Sequence, residues 1–403
     1  MTTTSTMSTD ADPSPVSGDP GQTFLVGPDI FLRAIEKADA GVGMSWRDTV
    51  FPLSPATVER WISEEMVKDR DTQWLAIVRH SDDRVVGSVR TFTRYGPAIL
   101  DLFIDPLFGD RGDRWKREAL GLVVPWIVDE RHIRKLRLSI DADDDALVVA
   151  ASELGMRQVA RFREQVDREG LRIDRLVFER HNAHWLATLG DPLAEELPRS
   201  GTGLPRPVPA PVPLEGEPPP GAVMLGRRVY LRAAKRGDLD ELALWSRRET
   251  ETGFLLGRRM ESAVGMVDGW SDADKGSLPT SVMFSVCLRD DDAFIGGVDL
   301  FGIDYQNRFA ETGSYFHRPD DRGKGYGSEA KHLLLEYAFD RLGLHSLQSR
   351  VYFTNTRSAA ALRKQGYRDA GRSTWEEPAH GGMINAAFFD LLASEWRALP
   401  RAR

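Results

Sequence analysis

The chain has 403 residues, of which 41% are hydrophobic and 28% charged, a balance typical of a soluble globular protein with two or three domains. Its net charge of −8 argues against broad nucleic-acid binding, and its single cysteine, Cys287, excludes an internal disulfide framework. No apolar run reaches about 18 residues, so we expect no membrane span. Together these features favour a reducing, cytoplasmic location.

The first half predicts a tail followed by alternating strands and helices. Residues 1–20 are rich in Thr, Ser, Asp and Pro and lack the apolar core of a signal peptide, so we expect a disordered tail over residues 1–23. A helical stretch carries Val58, Trp61, Ile62 and Met66. The other predicted helices are 117–128, where Pro125 is expected to cause a kink, and 146–154. The predicted strands are 31–33, 74–78, 85–89, 98–104, 134–140, 159–166 and 171–178.

Residues 197–221 differ in composition from the rest, because proline recurs through most of the segment. Such proline density favours an extended, semi-rigid spacer, so this segment is predicted to link two domains. A polyproline ligand for a partner domain is the alternative.

After this linker the order of elements repeats. The predicted strands are 229–232, 283–288, 294–301, 311–316, 347–353 and 388–392, and the predicted helices are 328–339 and 357–365. Leu347 corresponds to Leu136, Arg322 to Arg111 and Gly366 to Gly155, each pair being 211 residues apart. One constant offset across three elements indicates two copies of one fold.

A glycine-rich turn between a strand and a helix is the strongest functional signal in the chain. It consists of Arg322, Gly323, Lys324, Gly325, Tyr326 and Gly327, and Ser328 begins the predicted helix. A helix N-terminus is a ready anion site, and glycines allow a ligand to approach the backbone closely. Because the spacing is not that of a Walker loop, a pyrophosphate other than that of a nucleoside triphosphate is indicated.

The spacing Arg-x-x-Gly-x-Gly resembles the acyl-CoA loop of the GNAT acetyltransferase superfamily. Residues 310–313, 337–339, 342–345, 355–358 and 366–367 extend the resemblance to the branch that holds spermidine and ribosomal-protein N-terminal acetyltransferases. The resemblance covers roughly residues 224–397. It implies an α/β fold with a mixed, mostly antiparallel sheet flanked by helices. We therefore predict a degenerate GNAT-like domain at 24–196 and a catalytic one at 222–403, joined by the linker.

The resemblance also implies roles for particular residues. A backbone N–H near Phe316 and His317 would polarise the thioester carbonyl, and His317 is either an assisting base or a surface residue. Glu311 is the candidate general base, directly or through water, and a salt bridge to Arg308 or Arg350 is the competing interpretation.

The helix after the next strand supplies two further candidates. Asn355 would bond the pantetheine arm, although it is also a good helix N-cap. Many relatives have a thiolate-protonating tyrosine where this chain has Leu362, which cannot donate a proton. Ser358 is our candidate acid, with Tyr352 and water as alternatives.

The offset of 211 shows what the first copy lacks. Residues 113–116, Asp-Arg-Trp-Lys, replace residues 324–327, and the offset places Leu100 at the position of Glu311, Asp144 at Asn355 and Leu147 at Ser358. The first copy is then either a structural half that completes a pseudo-dimer or a substrate-shaping or peptide-docking domain. Its basic residues Arg111, Arg114 and Lys116 remain candidates to hold another anion.

These observations predict an N-acyltransferase that uses acetyl-CoA or another acyl-CoA, without a metal, and acts on a primary amine of a small molecule or a peptide N-terminus. An acyl-carrier-protein donor in natural-product biosynthesis and a non-catalytic CoA-binding regulatory module are the alternatives. No nucleic-acid or membrane partner is expected. An acidic rim for a cationic amine is formed by Glu249, Glu251 and Asp268, and Trp245, Phe254 and Trp270 either line the pocket or belong to the core.

Overall fold

The computed structural model describes residues 24–42, 53–93, 97–198, 204–210, 212–213, 216–246, 278–379 and 382–402. The chain divides into two compact units, residues 1–90 with 102–122 and residues 91–101 with 123–403. The predicted tail and the residues Glu249, Glu251, Phe254, Asp268 and Trp270 lie outside the described residues. Within the described part of the chain, no helix is long and apolar enough to cross a membrane.

The first unit begins with short strands that pack against a capped helix. Strands β1 (Leu25–Val26), β2 (Ile30–Ala34) and β3 (Thr72–Arg79) are antiparallel neighbours, and β4 (Arg84–Phe92) follows after the predicted turn. Helix α1 (Pro55–Glu64) starts at Ser54, whose hydroxyl accepts a hydrogen bond from the Thr57 N–H at 3.2 Å. Val58, Trp61 and Ile62 are buried as predicted, whereas Met66 lies beyond the helix in a 3₁₀ turn.

Helix α2 (Asp110–Pro125) corrects the prediction that a helix begins at residue 117. The charged stretch that looked like a loop forms two additional helical turns, so Arg111, Arg114 and Lys116 are all helical. Arg114 is paired with Asp29, and Lys116 Nζ lies 3.1 Å from an Asp113 carboxylate oxygen. No glycine loop therefore precedes this helix.

A π-helical turn, Trp126–Glu130, follows Pro125, the last residue of α2. Proline is not its cause, because an equal turn, Tyr337–Arg341, follows Glu336 in the second half. The predicted kink at Pro125 is thus a change of helix type that recurs without proline.

The second unit is a mostly antiparallel sheet with helices, as the sequence predicted. Its strands are β5 (Ala98–Ile104), β6 (Lys135–Asp141), β7 (Arg157–Arg168), β8 (Leu171–His181), β9 (Ala222–Leu225), β10 (Val229–Ala233), β11 (Val282–Leu288), β12 (Phe294–Asp304), β13 (Phe309–Phe316), β14 (Ser346–Tyr352), β15 (Arg368–Ala379) and β16 (Gly382–Leu392). Their order in the sheet is β5-β6-β8-β7-β15-β16-β14-β13-β12-β11-β10-β9. The pairs β5–β6 and β13–β14 are parallel.

The helices of this unit cover a continuous apolar core. They are α3 (Asp145–Glu153), α4 (Ala183–Leu189), α5 (Arg236–Ser246), α6 (Tyr326–Glu336), α7 (Thr356–Lys364) and α8 (Ala393–Ala398). Helix α6 buries Ala330, Leu333 and Leu334, which confirms the predicted apolar face. Burial of side chains of this size contributes about 1.5–3 kcal/mol each. Strand β15 was not predicted.

Two segments of the second unit repeat each other element by element. Residues 126–181, here termed the earlier segment, contain a π turn, β6, α3, β7 and β8. Residues 337–392, the later segment, contain a π turn, β14, α7, β15 and β16, and each element begins 211 residues after its counterpart. Even the backbone irregularity recurs, because Glu164 (φ 50°) and Trp375 (φ 46°) are both left-handed within their strands.

Part of the proline-rich segment is attached to the later half. Val208 is buried in the core of the second unit and forms a β-bridge with Arg401, and the Arg206 N–H donates to the Lys364 carbonyl at 2.7 Å. The described residues around Val208 are therefore anchored rather than extended through solvent.

Candidate active site

The site is built where β13 and β14 separate. Their parallel pairing covers residues 309–311 and 346–348 and ends at Glu311 and Gln348, while both strands continue. Side chains close the apex of the gap, since the Ser349 hydroxyl donates to the Thr312 carbonyl at 3.1 Å. The Thr312 hydroxyl also lies 2.9 Å from the Tyr367 hydroxyl. A gap of this kind leaves a strand edge open to a ligand.

The glycine loop lies directly after β13. Arg322 Nε donates to the Phe316 carbonyl at 2.9 Å, which folds the loop back on the end of the strand. Gly323 (φ 79°) and Gly325 (φ 88°) are left-handed, and Gly325 is the N-cap of α6. A Cβ on Gly327 would lie 3.0 Å from the Phe316 ring. The loop therefore needs these glycines, and it presents the first amides of α6 as the sequence predicted.

The loop residues with side chains lie around these amides. Lys324 is exposed and its ammonium lies 3.7 Å from an Asp321 carboxylate oxygen, while Tyr326 and Ser328 occupy the first turn of α6. Such a cluster of amides with cations provides the groups that a pyrophosphate needs.

An anchor for this loop was missed at the sequence level. Arg228, just before β10, donates through Nη1 to the Lys324 carbonyl at 2.9 Å and pairs through Nε with Glu329 at 3.0 Å. Glu329 also accepts from the Arg228 N–H at 2.8 Å. The Arg228 guanidinium lies 5.0 Å from the centroid of the Tyr326 ring. The anchor joins residues 100 positions apart, so no local pattern indicated it.

Glu311 lies at the last paired position of the gap. Its Oε2 accepts a long hydrogen bond, 3.5 Å, from Gln348 Nε2. Of the salt-bridge partners considered, Arg350 pairs with Glu376 at 2.7 Å and Arg308 with Asp167 at 3.5 Å. The carboxylate is therefore faced by a neutral amide.

His317 is buried, so the interpretation of a surface histidine is wrong. Its ring stacks on Phe294 with centroids 4.8 Å apart, and Nε2 lies 3.3 Å from Glu241 Oε1. Arg318 donates to the same Glu241 oxygen at 2.8 Å. Burial lowers the pKa of His317, against the Glu241 carboxylate, which acts to raise it. The ring is thus neutral near pH 7 and holds the backbone of residues 316–317 at the mouth of the gap.

The helix after β14 has the predicted cap. Asn355 Oδ1 accepts from the Ser358 N–H at 3.1 Å, which confirms the N-cap interpretation and leaves Nδ2 as the atom that can reach a ligand. Ser358 is half-buried in the first turn of α7. Leu362 is buried in the core, and the Tyr352 hydroxyl lies 3.4 Å from Glu377. Ser358 stays the predicted acid.

A buried acid and base near the gap were also missed. Lys331 of α6 is buried and donates to the Gly313 carbonyl at 3.4 Å. Burial lowers the pKa of Lys331 to about 7, against the charges of Asp299 and Glu311. Burial likewise raises the pKa of Asp299 to about 7. The only sequence signal was a lysine at a position of α6 surrounded by buried residues.

Comparison with known proteins identifies an acetyltransferase (GNAT) domain at residues 228–368, which include the loop, the gap and α7. Over 113 residues the chain is 33% identical to the uncharacterized N-acetyltransferase p20 of Bacillus licheniformis, covering 28% of this chain and 63% of that protein. The uncharacterized N-acetyltransferase YnaD of Bacillus subtilis is 30% identical over 113 residues, covering 28% and 65%. The chain thus spans just under two thirds of the length of these relatives.

Among solved structures, spermidine N-acetyltransferase from Vibrio cholerae in complex with CoA and spermine is 23% identical. The match covers 42% of this chain and 98% of that chain, with a TM-score of 0.39. The chain therefore carries a GNAT acetyltransferase domain in its second half.

Proposed function

We propose that the protein is an acyl-CoA-dependent N-acyltransferase, with acetyl-CoA as the first donor to test, acting on a primary amine of a small molecule or a peptide N-terminus. The observation that carries this is the combination of the left-handed glycine loop at the start of α6 with the gap that opens at Glu311. A pyrophosphate on the loop amides and a pantetheine arm in the gap are the two groups that acyl-CoA supplies.

The residues of this chain have separate roles in the proposed reaction. The amine nitrogen bonds to the thioester carbonyl carbon, and the C–S bond breaks. Glu311 takes the proton that the amine loses, directly or through water, and a backbone N–H at 316–317 stabilises the oxyanion. The Ser358 hydroxyl gives a proton to the departing thiolate and regains one from water. Arg322, Lys324 and the amides of residues 323–328 hold the pyrophosphate, while Asn355 Nδ2 bonds the pantetheine.

We further propose that residues 24–196 and 222–403 are two copies of this fold, and that the first copy is structural. Five elements recurring at an offset of 211 support the duplication. The strand register supports loss of function, because Ile99 pairs with Arg137 as Glu311 pairs with Gln348. Ile99, rather than the Leu100 that the constant offset indicated, therefore stands in the place of Glu311. The carboxylate partners of Arg114 and Lys116 argue against a second anion site there.

Calorimetric titration and a thiol-release assay test the proposed function. Acetyl-CoA is titrated into the wild type and into Gly325→Arg, where the strained φ and the long side chain are expected to abolish binding. Thiol release is then measured with polyamines, aminoglycosides, amino acids and peptides with free N-termini. Glu311→Gln is expected to lower kcat by ~100- to 10,000-fold and to leave acetyl-CoA binding unchanged.

The exposed Glu153→Gln is the matched control and is expected to behave as wild type. Binding without turnover for every acceptor would indicate a CoA-binding regulatory module. Turnover only with an acylated carrier protein would identify the other donor class. No binding of any acyl-CoA would overturn the proposal.

A further inference from the structure

The earlier segment contributes a side chain to the surroundings of Glu311. Gln165, on β7, is 93% buried at a relative exposure of 7%, and its Nε2 donates to Gln348 Oε1 at 2.9 Å. Gln348 is the residue whose amide faces Glu311. A continuous line of polar groups therefore leads from the earlier segment to the candidate base.

The direction of each hydrogen bond in this line follows from chemistry. An ionised carboxylate only accepts, so Gln348 must turn its Nε2 toward Glu311. Its Oε1 then faces away and requires a donor, which Gln165 Nε2 supplies. Without Gln165 the amide of Gln348 has no partner that selects this orientation, and its flipped form would point an oxygen at the carboxylate.

The same pair of positions occurs a second time with different chemistry. Arg137 lies 211 residues before Gln348, and Gln165 lies 211 residues before Glu376. Arg137 and Glu376 form a short ion pair of 2.5 Å beside the earlier gap, where Ile99 replaces the carboxylate. Beside Glu311 the two positions hold two neutral amides. An arginine there would pair with Glu311 and make it a poorer base.

We propose that Gln165 is a positioning residue for the acyl transfer: it fixes the amide of Gln348, which orients Glu311 without neutralising its charge. The first half of the chain is then required for catalysis in the second half and is not only a scaffold. This inference rests on the proposed function, because it assigns Gln165 to the same reaction.

Steady-state kinetics with acetyl-CoA and the best amine acceptor test it, using the full chain. Gln165→Met keeps the volume and removes the donor, and we expect kcat to fall ~5- to 30-fold with KM for acetyl-CoA unchanged. Gln165→Glu offers an acceptor in place of the donor, so we expect an equal or larger loss. Gln158→Met, on the exposed face of the same strand, is the matched control and is expected to keep the wild-type kcat. In a Glu311→Gln background Gln165→Met should cause no further loss.

Circular dichroism verifies that each variant is folded; if Gln165→Met unfolds, the comparison rests on Gln165→Glu. Wild-type kcat in a folded Gln165 variant would overturn this inference alone, as would an undiminished loss in the Glu311→Gln background. Absence of turnover in the unmodified protein would overturn the proposed function and this inference with it.

Discussion

Ala160 and Gly371 pair with each other where β7 and β15 meet as antiparallel strands, and they are 211 residues apart. Each residue therefore contacts its own counterpart in the other segment. Self-pairing of equivalent residues defines a local two-fold relationship, the kind found in isologous dimer interfaces. This contact supports the interpretation of the chain as a pseudo-dimer made from one polypeptide.

Gly371→Ala is expected to destabilise the second unit strongly. A Cβ at position 371 would lie 2.3 Å from the Val159 carbonyl oxygen and 2.6 Å from the Ala160 Cα, and the backbone there has φ of 125°. Backbone atoms cannot move aside as a flexible side chain can. We expect the free energy of unfolding to fall by ~2–4 kcal/mol, measured by chemical denaturation.

Gly155→Ala is the control, because Gly155 is also left-handed (φ 72°) but has open space around its Cβ position. Its cost should be only the ~1 kcal/mol of a left-handed alanine. Equal costs at the two positions would show that the strand contact is not tight.

Two glutamates provide a paired test of which half binds the donor. Glu329 accepts from the Arg228 N–H and pairs with its guanidinium, while Glu118 accepts from the Asp29 and Ile30 N–H groups at 2.8 and 3.0 Å. Alanine at either position leaves backbone donors without an acceptor, so each change should lower the free energy of unfolding by ~1–3 kcal/mol.

Only Glu329→Ala should weaken acetyl-CoA binding, by ~3- to 10-fold in calorimetry, because only Arg228 holds the Lys324 carbonyl of the glycine loop. Equal weakening in Glu118→Ala would argue that the first half binds the donor.

The sequence predicted the parts of the fold that depend on local patterns. The apolar face of α6, the cap at Asn355 and the loop before α6 follow from spacing alone, and the structure has all three. Strand β15 was missed because Pro378 and the left-handed Trp375 interrupt its alternation. The start of α2 was missed because Asp110, Gly112 and Asp113 favour a loop locally, and the helix forms regardless.

The chemistry around Glu311 depends on contacts between distant residues, which a single sequence does not show. Gln348, Gln165 and Lys331 carry no motif, and their importance follows from the strand register and the packing of α6. The assignment of Leu100 to the place of Glu311 failed for a related reason. A constant offset assumes no insertion, whereas the register shifts by one residue before β13.

A buried charge cluster in the second unit predicts a large loss of stability on Lys135→Met. Lys135 is 1% exposed, and its Nζ lies 3.0 Å from Glu179 and 3.3 Å from Glu376. Burial opposes ionisation of Glu376, but the charges of Arg137, Lys135 and Arg350 outweigh it and lower its pKa to about 2. Removing one cation leaves two buried carboxylates short of charge, so we expect a loss of ~3–5 kcal/mol in denaturation experiments.

The double variant Lys135→Met with Glu179→Gln should recover part of this loss, because it also removes one of the carboxylates. A double variant that is less stable than the sum of the two single losses would contradict this account of the cluster.

Asp299 predicts a pH-dependent difference in stability that a single substitution reveals. Burial raises the pKa of Asp299 to about 7, although the Lys331 ammonium opposes the rise. A carboxyl with a raised folded-state pKa contributes stability that is fully present below its unfolded pKa, near 3.8, and is lost as the pH rises through about 7. Asp299→Asn removes this loss. The stability of the variant relative to wild type should therefore rise between pH 5 and pH 8, by roughly 2–4 kcal/mol. Denaturation of both proteins at pH 5, 6, 7 and 8 measures the trend, with the exposed Asp290→Asn as a control expected to follow wild type. A difference that stays constant with pH, or that favours wild type increasingly at pH 8, would mean that Asp299 is ionised throughout and paired with Lys331.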